Sequence, residues 1–253
     1  MSKLKDFIDA FKVKHETVVS KGLKLQVVEN KKLKMFKLDD VTHSVINKRS
    51  VYTHSYWDYF LPLFYAYRNP RVLMIGLGMG TTAYQLRKLF GKRVGLDIVD
   101  NNADVVKLAR KHSPNLEKEN IVVADGARYL EKSGKKYDVV VLDVYEKAAR
   151  IPEQFLKERF VRSAFKSLKN DGVMGINYAM NPLGIVRFGA YVKVLKRHFK
   201  VYSIKAGSIG DMQVILCSKS IEKEELLGRI EPSMKINRAT SPLVVAYNQM
   251  RTL

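Results

Sequence analysis

Arg71-Val-Leu-Met-Ile-Gly76-Leu-Gly78-Met-Gly80-Thr-Thr82 is the stretch that decides the fold. Four apolar residues run into three glycines spaced two apart, and a helix-patterned segment follows over 83–90. A continuous apolar run suits a strand buried on both faces of a parallel sheet. Glycines at its carboxyl end allow a tight turn and let a ligand approach the backbone. A dinucleotide fingerprint wants glycine at the sixth place, where this chain has Thr81. The Gly-x-Gly-x-Gly spacing instead suits a nucleoside without a pyrophosphate, such as S-adenosylmethionine. Glycines here could form only a turn, but the strand–turn–helix context favours a ligand.

Working outward, strands are expected over 72–76, 93–99, 121–124, 137–143 and 172–178, with helices near 81–90, 103–111, 126–131 and 153–168. That alternation implies an α/β fold, a doubly wound, Rossmann-like sheet. A helix near 183–199 and two strands, 201–205 and 213–217, follow. The few residues between those strands are too short for a parallel crossover, so they pair as a hairpin. An antiparallel last strand marks the S-adenosylmethionine methyltransferase type of sheet. Before the glycine turn, a short amphipathic helix over 4–11 precedes alternating segments at 23–28, 33–38 and 41–46, which form a small antiparallel β unit. An aromatic-rich stretch of helical spacing covers 52–67. The organisation is therefore a small N-terminal unit, 1–50, and a nucleoside-binding domain, 51–253.

The 253 residues are 46% hydrophobic, enough for a substantial core, and no stretch is apolar enough to span a membrane. The amino terminus lacks the pattern of a signal peptide, so a cytoplasmic location is expected. Cys217 is the single cysteine, within Val214-Ile-Leu-Cys217, and reads as a buried structural thiol. Net charge is +20, from 45 basic and 25 acidic residues. Such a field attracts nucleic acid, anionic membranes or anionic metabolites. The densest basic region, Ile151 to Lys205, holds 11 Lys/Arg against 3 Asp/Glu and reads equally as a solvated face or a nucleic-acid footprint.

The second strand ends at Asp100, about twenty residues past the glycine turn, where a carboxylate can accept hydrogen bonds from ribose hydroxyls. Asp97 competes but would lie within the strand, and a helix cap is the alternative role for Asp100. Asp125, at the end of the third strand, could accept from an adenine amino group, cap the next helix, or both. With Asn101, Gly126, Gly76, Gly78 and Gly80 these residues make the expected nucleoside set. In Tyr137-Asp-Val-Val-Val-Leu-Asp143-Val-Tyr-Glu146, four apolar residues deliver Asp143 to the carboxyl edge, where doubly wound sheets bind ligands. A carboxylate there can hold a cationic amine and take its proton as nitrogen attacks carbon. Tyr52, His54, Tyr145 and Glu146 are expected around that acceptor. His15, His43, His112 and His198 read as surface residues, and no His–carboxylate spacing indicates a metal.

These residues together resemble the spermidine synthase (polyamine aminopropyltransferase) family, in particular its spermidine synthase-like members. The resemblance runs over nearly the whole chain, from Leu38-Asp-Asp-Val-Thr-His-Ser44 and Tyr52–Trp57 through the glycine turn, Asp100, Ala124-Asp125-Gly126 and Asp143 to Ile151–Phe160 and Leu168–Val173. It implies aminopropyl transfer from decarboxylated S-adenosylmethionine to a di- or polyamine in a homodimer, without a metal. Asp100 would bind ribose, Asp125 adenine, and Asp143 would accept the proton. Three places depart from the family pattern. Met79 stands where the glycine turn has Asp, the Asp-x-x-Asp-Pro gate reads Asp143-Val-Tyr-Glu146-Lys, and Ser55-Tyr56 replaces a His-Glu pair. Net positive charge also repels diamines. Two other readings compete: methyl transfer from S-adenosylmethionine, with RNA as acceptor, and a non-catalytic nucleoside-binding protein. No Asn/Asp-Pro-Pro-Tyr motif follows the fourth strand, so nucleic acid is not the favoured partner.

Overall fold

A computed structural model describes residues 14–20, 22–39, 41–146, 150–206, 212–235 and 241–253; the helix expected over 4–11 lies outside them. Two sheets make the frame. The first is antiparallel, in the order β1 (Lys14–Ser20), β2 (Leu23–Glu29), β3 (Leu33–Leu38), β4 (Val41–Asn47). The second has eight strands in the order β12-β10-β11-β9-β8-β5-β6-β7. Its parallel part is β5 (Arg71–Ile75), β6 (Gly95–Asp100), β7 (Asn120–Val123), β8 (Tyr137–Leu142) and β9 (Leu168–Ala179). The hairpin β10 (Lys200–Ala206) and β11 (Met212–Ser218) completes it, with β12 (Arg251–Thr252) on the outer edge.

The antiparallel strand is not the edge of the sheet. β11 inserts between β9 and β10, so β10 again runs in the direction of the parallel strands. Sequence order reverses between β5 and β8, and this switch point is where a crevice opens in such sheets.

Alternation along β5 sorts the two layers. Val72 and Met74 face a core shared with α1 (Leu61–Tyr65), α2 (Thr81–Phe90), α3 (Ala103–His112), α8 (Lys223–Lys235) and α9 (Ser241–Asn248). Leu73 and Ile75 face a second core with α4 (Gly126–Lys132), α5 (Glu153–Leu156), α6 (Glu158–Ser167) and α7 (Pro182–Lys196). All six residues of β8 are buried, as a run covered on both faces requires.

Several expected elements shift. The helix expected over 153–168 is two, because Lys157 is extended at φ −82° and ψ 148°. Leu168 belongs to β9, which begins beside Tyr137 and jumps register before Val139 pairs with Val173. β1 and the C-terminal α8, α9 and β12 are additional to the sequence reading.

The small sheet docks on the glycine turn. Leu25, Val27, Phe36 and Ile46 pack with Met79, Val105 and Leu108. Ser44 Oγ accepts from Met79 N at 2.8 Å, and Thr81 Oγ1 hydrogen-bonds Val45 N and O at 3.0 Å each. Ser20 Oγ and the Glu16 carboxylate reach Asp104, Lys111 and His112 on α3. The sheet therefore roofs the crevice rather than hanging free.

Candidate active site

One cavity of about 480 Å³ lies under that roof, at the carboxyl ends of β5, β6, β7 and β8. Leu23, Leu25, Phe36, Leu38 and His43 close it from above, while Gly76, Gly78, Asp100, Asn101, Asp125 and Gly126 line one end. Asp143, Tyr145, Glu146, Arg150 and Tyr56 line the other. The glycine turn approaches β8 directly. Gly76 has φ +92°, and a Cβ there would stand 2.1 Å from the Asp143 carbonyl oxygen. Only a residue without a side chain lets β5 and β8 converge here.

Asp100 ends β6 with both oxygens engaged. Leu77 N donates to Oδ2 at 2.9 Å and Asn102 N donates to Oδ1 at 2.9 Å. These bonds orient the carboxylate at the cavity wall. Capping of the next helix falls instead to Asn102, whose side chain accepts from Asp104 N and Val105 N. Asp97 is buried within the sheet, held by Asn120, Lys135 and Tyr137, and is away from the cavity. Asp125 caps α4 by accepting from Arg128 N at 2.8 Å while it lines the cavity, so both of its expected positions coincide.

Asp143 follows β8 and faces the cavity. Asn177 Nδ2 donates to its Oδ1 at 2.9 Å, and the Tyr56 hydroxyl stands 3.4 Å from both oxygens. Burial pushes the carboxyl up to about 6, against the opposing pull of hydrogen bonds from Asn177, Tyr56 and Trp57. The Tyr56 phenol is raised well above its ordinary value by burial and by the neighbouring Asp143 charge; Tyr145 is raised by the same two causes. Both therefore stay protonated donors. Glu146, by contrast, is paired with Arg150 at 2.9 Å. Asp143 is thus the one carboxylate at this end without an ion-pair partner among the described residues.

Three expected site residues stand elsewhere. Gly80 packs against Leu116, which a Cβ would meet at 2.5 Å, and it does not line the cavity. Tyr52 is buried in the core, and His54 is exposed at φ +58°. The cause is Asp58, whose buried carboxylate accepts from Thr53 N, Thr53 Oγ1 and His54 N at 2.7–3.1 Å and from Gln85 Nε2 at 2.6 Å. Residues 53–55 are thereby drawn into a turn instead of a helix, and the 3-10 segment Tyr56–Phe60 presents Tyr56 to Asp143. His43 also corrects the sequence reading: it lines the cavity roof, with burial lowering its imidazole. Met79 is fully buried beneath the small sheet. Asn177 carries no sequence signal of its own, since Asp143 recruits it through space, whereas Tyr56 stands at one of the three places where the chain departs from the family pattern.

Fold and site define a Rossmann-like domain of the methyltransferase type, roofed by an antiparallel sheet over a carboxylate-lined cavity. Residues 59–182 match the spermine/spermidine synthase domain. Over that stretch, just under half of its length, the chain is similar to the spermine/spermidine synthase family. A polyamine aminopropyltransferase of Methanocaldococcus jannaschii is 34% identical over 130 residues, covering 49% of this chain and 43% of that protein. One from Clostridium botulinum is 26% identical over 196 residues, covering 74% and 66%. The matches thus span between 43% and 66% of these relatives. A spermidine synthase solved in complex with the transition-state analogue AdoDATO has the same fold, with a TM-score of 0.72 at 22% identity over 93% of this chain and 84% of that one.

Proposed function

We propose that this chain transfers an aminopropyl group from decarboxylated S-adenosylmethionine to a small di- or polyamine, with Asp143 as proton acceptor. The observation that carries the reading is Asp143 itself: a carboxylate with no ion-pair partner among the described residues, raised to about 6, facing a cavity whose far end presents Asp100 and the glycine turn. The lining suits a nucleoside: Asp100 would take the ribose hydroxyls, Asp125 and Gly126 would meet the base, and Leu25, Phe36 and Leu38 would cover it.

A bound sulfonium nucleoside supplies an electrophilic carbon beside a positively charged sulfur. The protein's work is alignment and proton removal. Asp143 accepts a hydrogen bond from the incoming amine and takes its proton as the nitrogen loses basicity on attack. A carboxyl near 6 is mostly ionised at neutral pH and still a competent base. Asn177 and Tyr56 fix the carboxylate's orientation from one side, leaving Oδ2 the less engaged oxygen. Tyr145 and the Glu146–Arg150 pair form the rim, where Arg150 offsets the Glu146 charge. That leaves one strong anchor for an ammonium, consistent with altered amine recognition at Met79 and Ser55-Tyr56.

The reading carries with it a homodimer in the cytoplasm, which light scattering and fractionation would test. Its first test is calorimetry with methylthioadenosine, S-adenosylmethionine, its decarboxylated form and NAD. The decarboxylated sulfonium or methylthioadenosine should bind tightest. NAD binding tighter than every sulfonium nucleoside would defeat the proposal.

A further inference from the structure

The carboxylate-lined cavity uses little of the chain's excess positive charge. The basic stretch from Ile151 to Lys205 folds largely into α6 and α7, on the sheet face that also carries α4. Between α4 and α6 lies a depression of about 310 Å³, lined by Lys135, Lys136, Arg159, Arg162, Ser163 and Lys166 among others. Glu131 is the one carboxylate among its lining residues, and it is taken up by Arg159 in a two-pronged pair of 2.6 and 2.9 Å. Lys135 is likewise paired with Asp97 at 3.0 Å.

Among the described residues no carboxylate pairs with the remaining cations of the lining. Lys136 donates to the Lys166 carbonyl, which satisfies a helix end but leaves its charge unpaired. Among the described residues neither Arg162 nor Lys166 has an ion-pair partner, although both are exposed. They stand four apart on α6, the spacing at which like charges on a helix repel. Lys219 adds to the crowding: its ammonium is lowered by burial and by the charge of Lys136. Folding alone would disfavour such a grouping, and a row of phosphates would relieve it. The lining residues include no aromatic ring on which a base could stack, so the surface suits a phosphodiester backbone rather than bases.

The depression is also far from the cavity. Lys135 and Lys136 precede β8 and Asp143 follows it, so the two sites stand at opposite edges of the sheet, about 20 Å apart for six strand residues. We propose that this amino-edge depression binds the phosphate backbone of nucleic acid without sequence preference, independently of the transfer site.

The test is fluorescence anisotropy of the full chain with a labelled uridine oligonucleotide of about 20 nucleotides, over rising KCl. Arg162→Glu/Lys166→Glu is compared with Lys92→Glu/Lys107→Glu, which removes the same net charge at exposed positions away from the depression. Single-strand contacts contribute a log–log salt slope of about −0.7 per phosphate. Contacts to Lys136, Arg162 and Lys166 therefore give about −2 for the unaltered chain. The patch variant should lose about tenfold or more in affinity and flatten that slope by more than one unit. The control should lose less than about threefold, and Arg162→Gln/Lys166→Gln should shift in the same direction as the patch variant. Methylthioadenosine affinity, unchanged in all of them, confirms folding. Equal losses in patch and control variants would assign binding to diffuse charge and overturn the site. So would absence of RNA binding, including the case in which tripolyphosphate alone binds.

Discussion

On the proposed function, Asp143 concentrates the chemistry, and its burial is a cost to the fold. Its folded value, about 6, lies above that of a free carboxyl, so the folded protein prefers the protonated form. The associated stability is fully present below about pH 4 and is lost as pH rises through about 6. Activity has the opposite sign, because a proton acceptor must be ionised. Turnover at saturating substrates should therefore fall as pH drops below about 6. Asp143→Asn removes the charge and keeps the shape. It should cut turnover on the order of a hundredfold or more while leaving methylthioadenosine affinity nearly intact. The same variant should melt higher than the unaltered chain at pH 7.5, by on the order of 1 kcal/mol because one side of the carboxyl meets the cavity, and the difference should shrink toward pH 4. A variant that is slower but no more stable would separate the two roles. Tyr56→Phe tests the support of that carboxylate. Losing a donor 3.4 Å away should raise the Asp143 value further, moving the acid limb of the pH profile upward with only a modest loss of rate. Asp100→Ala, at the other end, should weaken nucleoside binding by roughly 1–3 kcal/mol through lost charge-assisted hydrogen bonds, read by calorimetry.

At the scale of the element, the turn after β5 brings these residues within one cavity. Gly76→Ala would place a Cβ 2.1 Å from the backbone of Asp143 at a φ of +92°. Two backbones would have to part, so the variant should lose nucleoside affinity and melt several degrees lower together; unchanged binding in a folded variant would contradict the geometry. The sequence shows this part clearly, because β5 and β8 are short apolar runs that end at Gly76 and Asp143, and such runs suit strands buried on both faces. It is silent where polar residues carry the structure. β1, Lys-His-Glu-Thr-Val-Val-Ser, has too little apolar alternation to stand out, and its pairing with β2 is what establishes it. The spacing of aromatics over 52–67 suggests a helix with Tyr52 at the cavity. Four hydrogen-bond donors on Asp58 and one left-handed residue, His54, rotate Tyr56 into that place instead. Such a choice is made by a side chain and its neighbours in space, not by periodicity.

For the whole molecule, charge and chemistry occupy opposite edges of one sheet. Carboxylates gather at the carboxyl ends of β6, β7 and β8, and cations with no carboxylate partner among the described residues gather at the amino end of β8. A chain of net charge +20 would repel a diamine from most of its surface, so capture of an amine depends on the local field of the cavity. Raising ionic strength should accordingly change amine capture less steeply than RNA binding, since the cavity carboxylates are sheltered from screening. Product formation addresses the central claim most directly. Decarboxylated S-adenosylmethionine would be incubated with putrescine, agmatine, cadaverine or spermidine, and the extended amine and methylthioadenosine measured for the unaltered chain and for Asp143→Asn. The proposed function predicts that at least one amine is extended, with methylthioadenosine formed in equal amount, and that Asp143→Asn slows this about a hundredfold or more. Failure to extend any of them while S-adenosylmethionine still binds would contradict it.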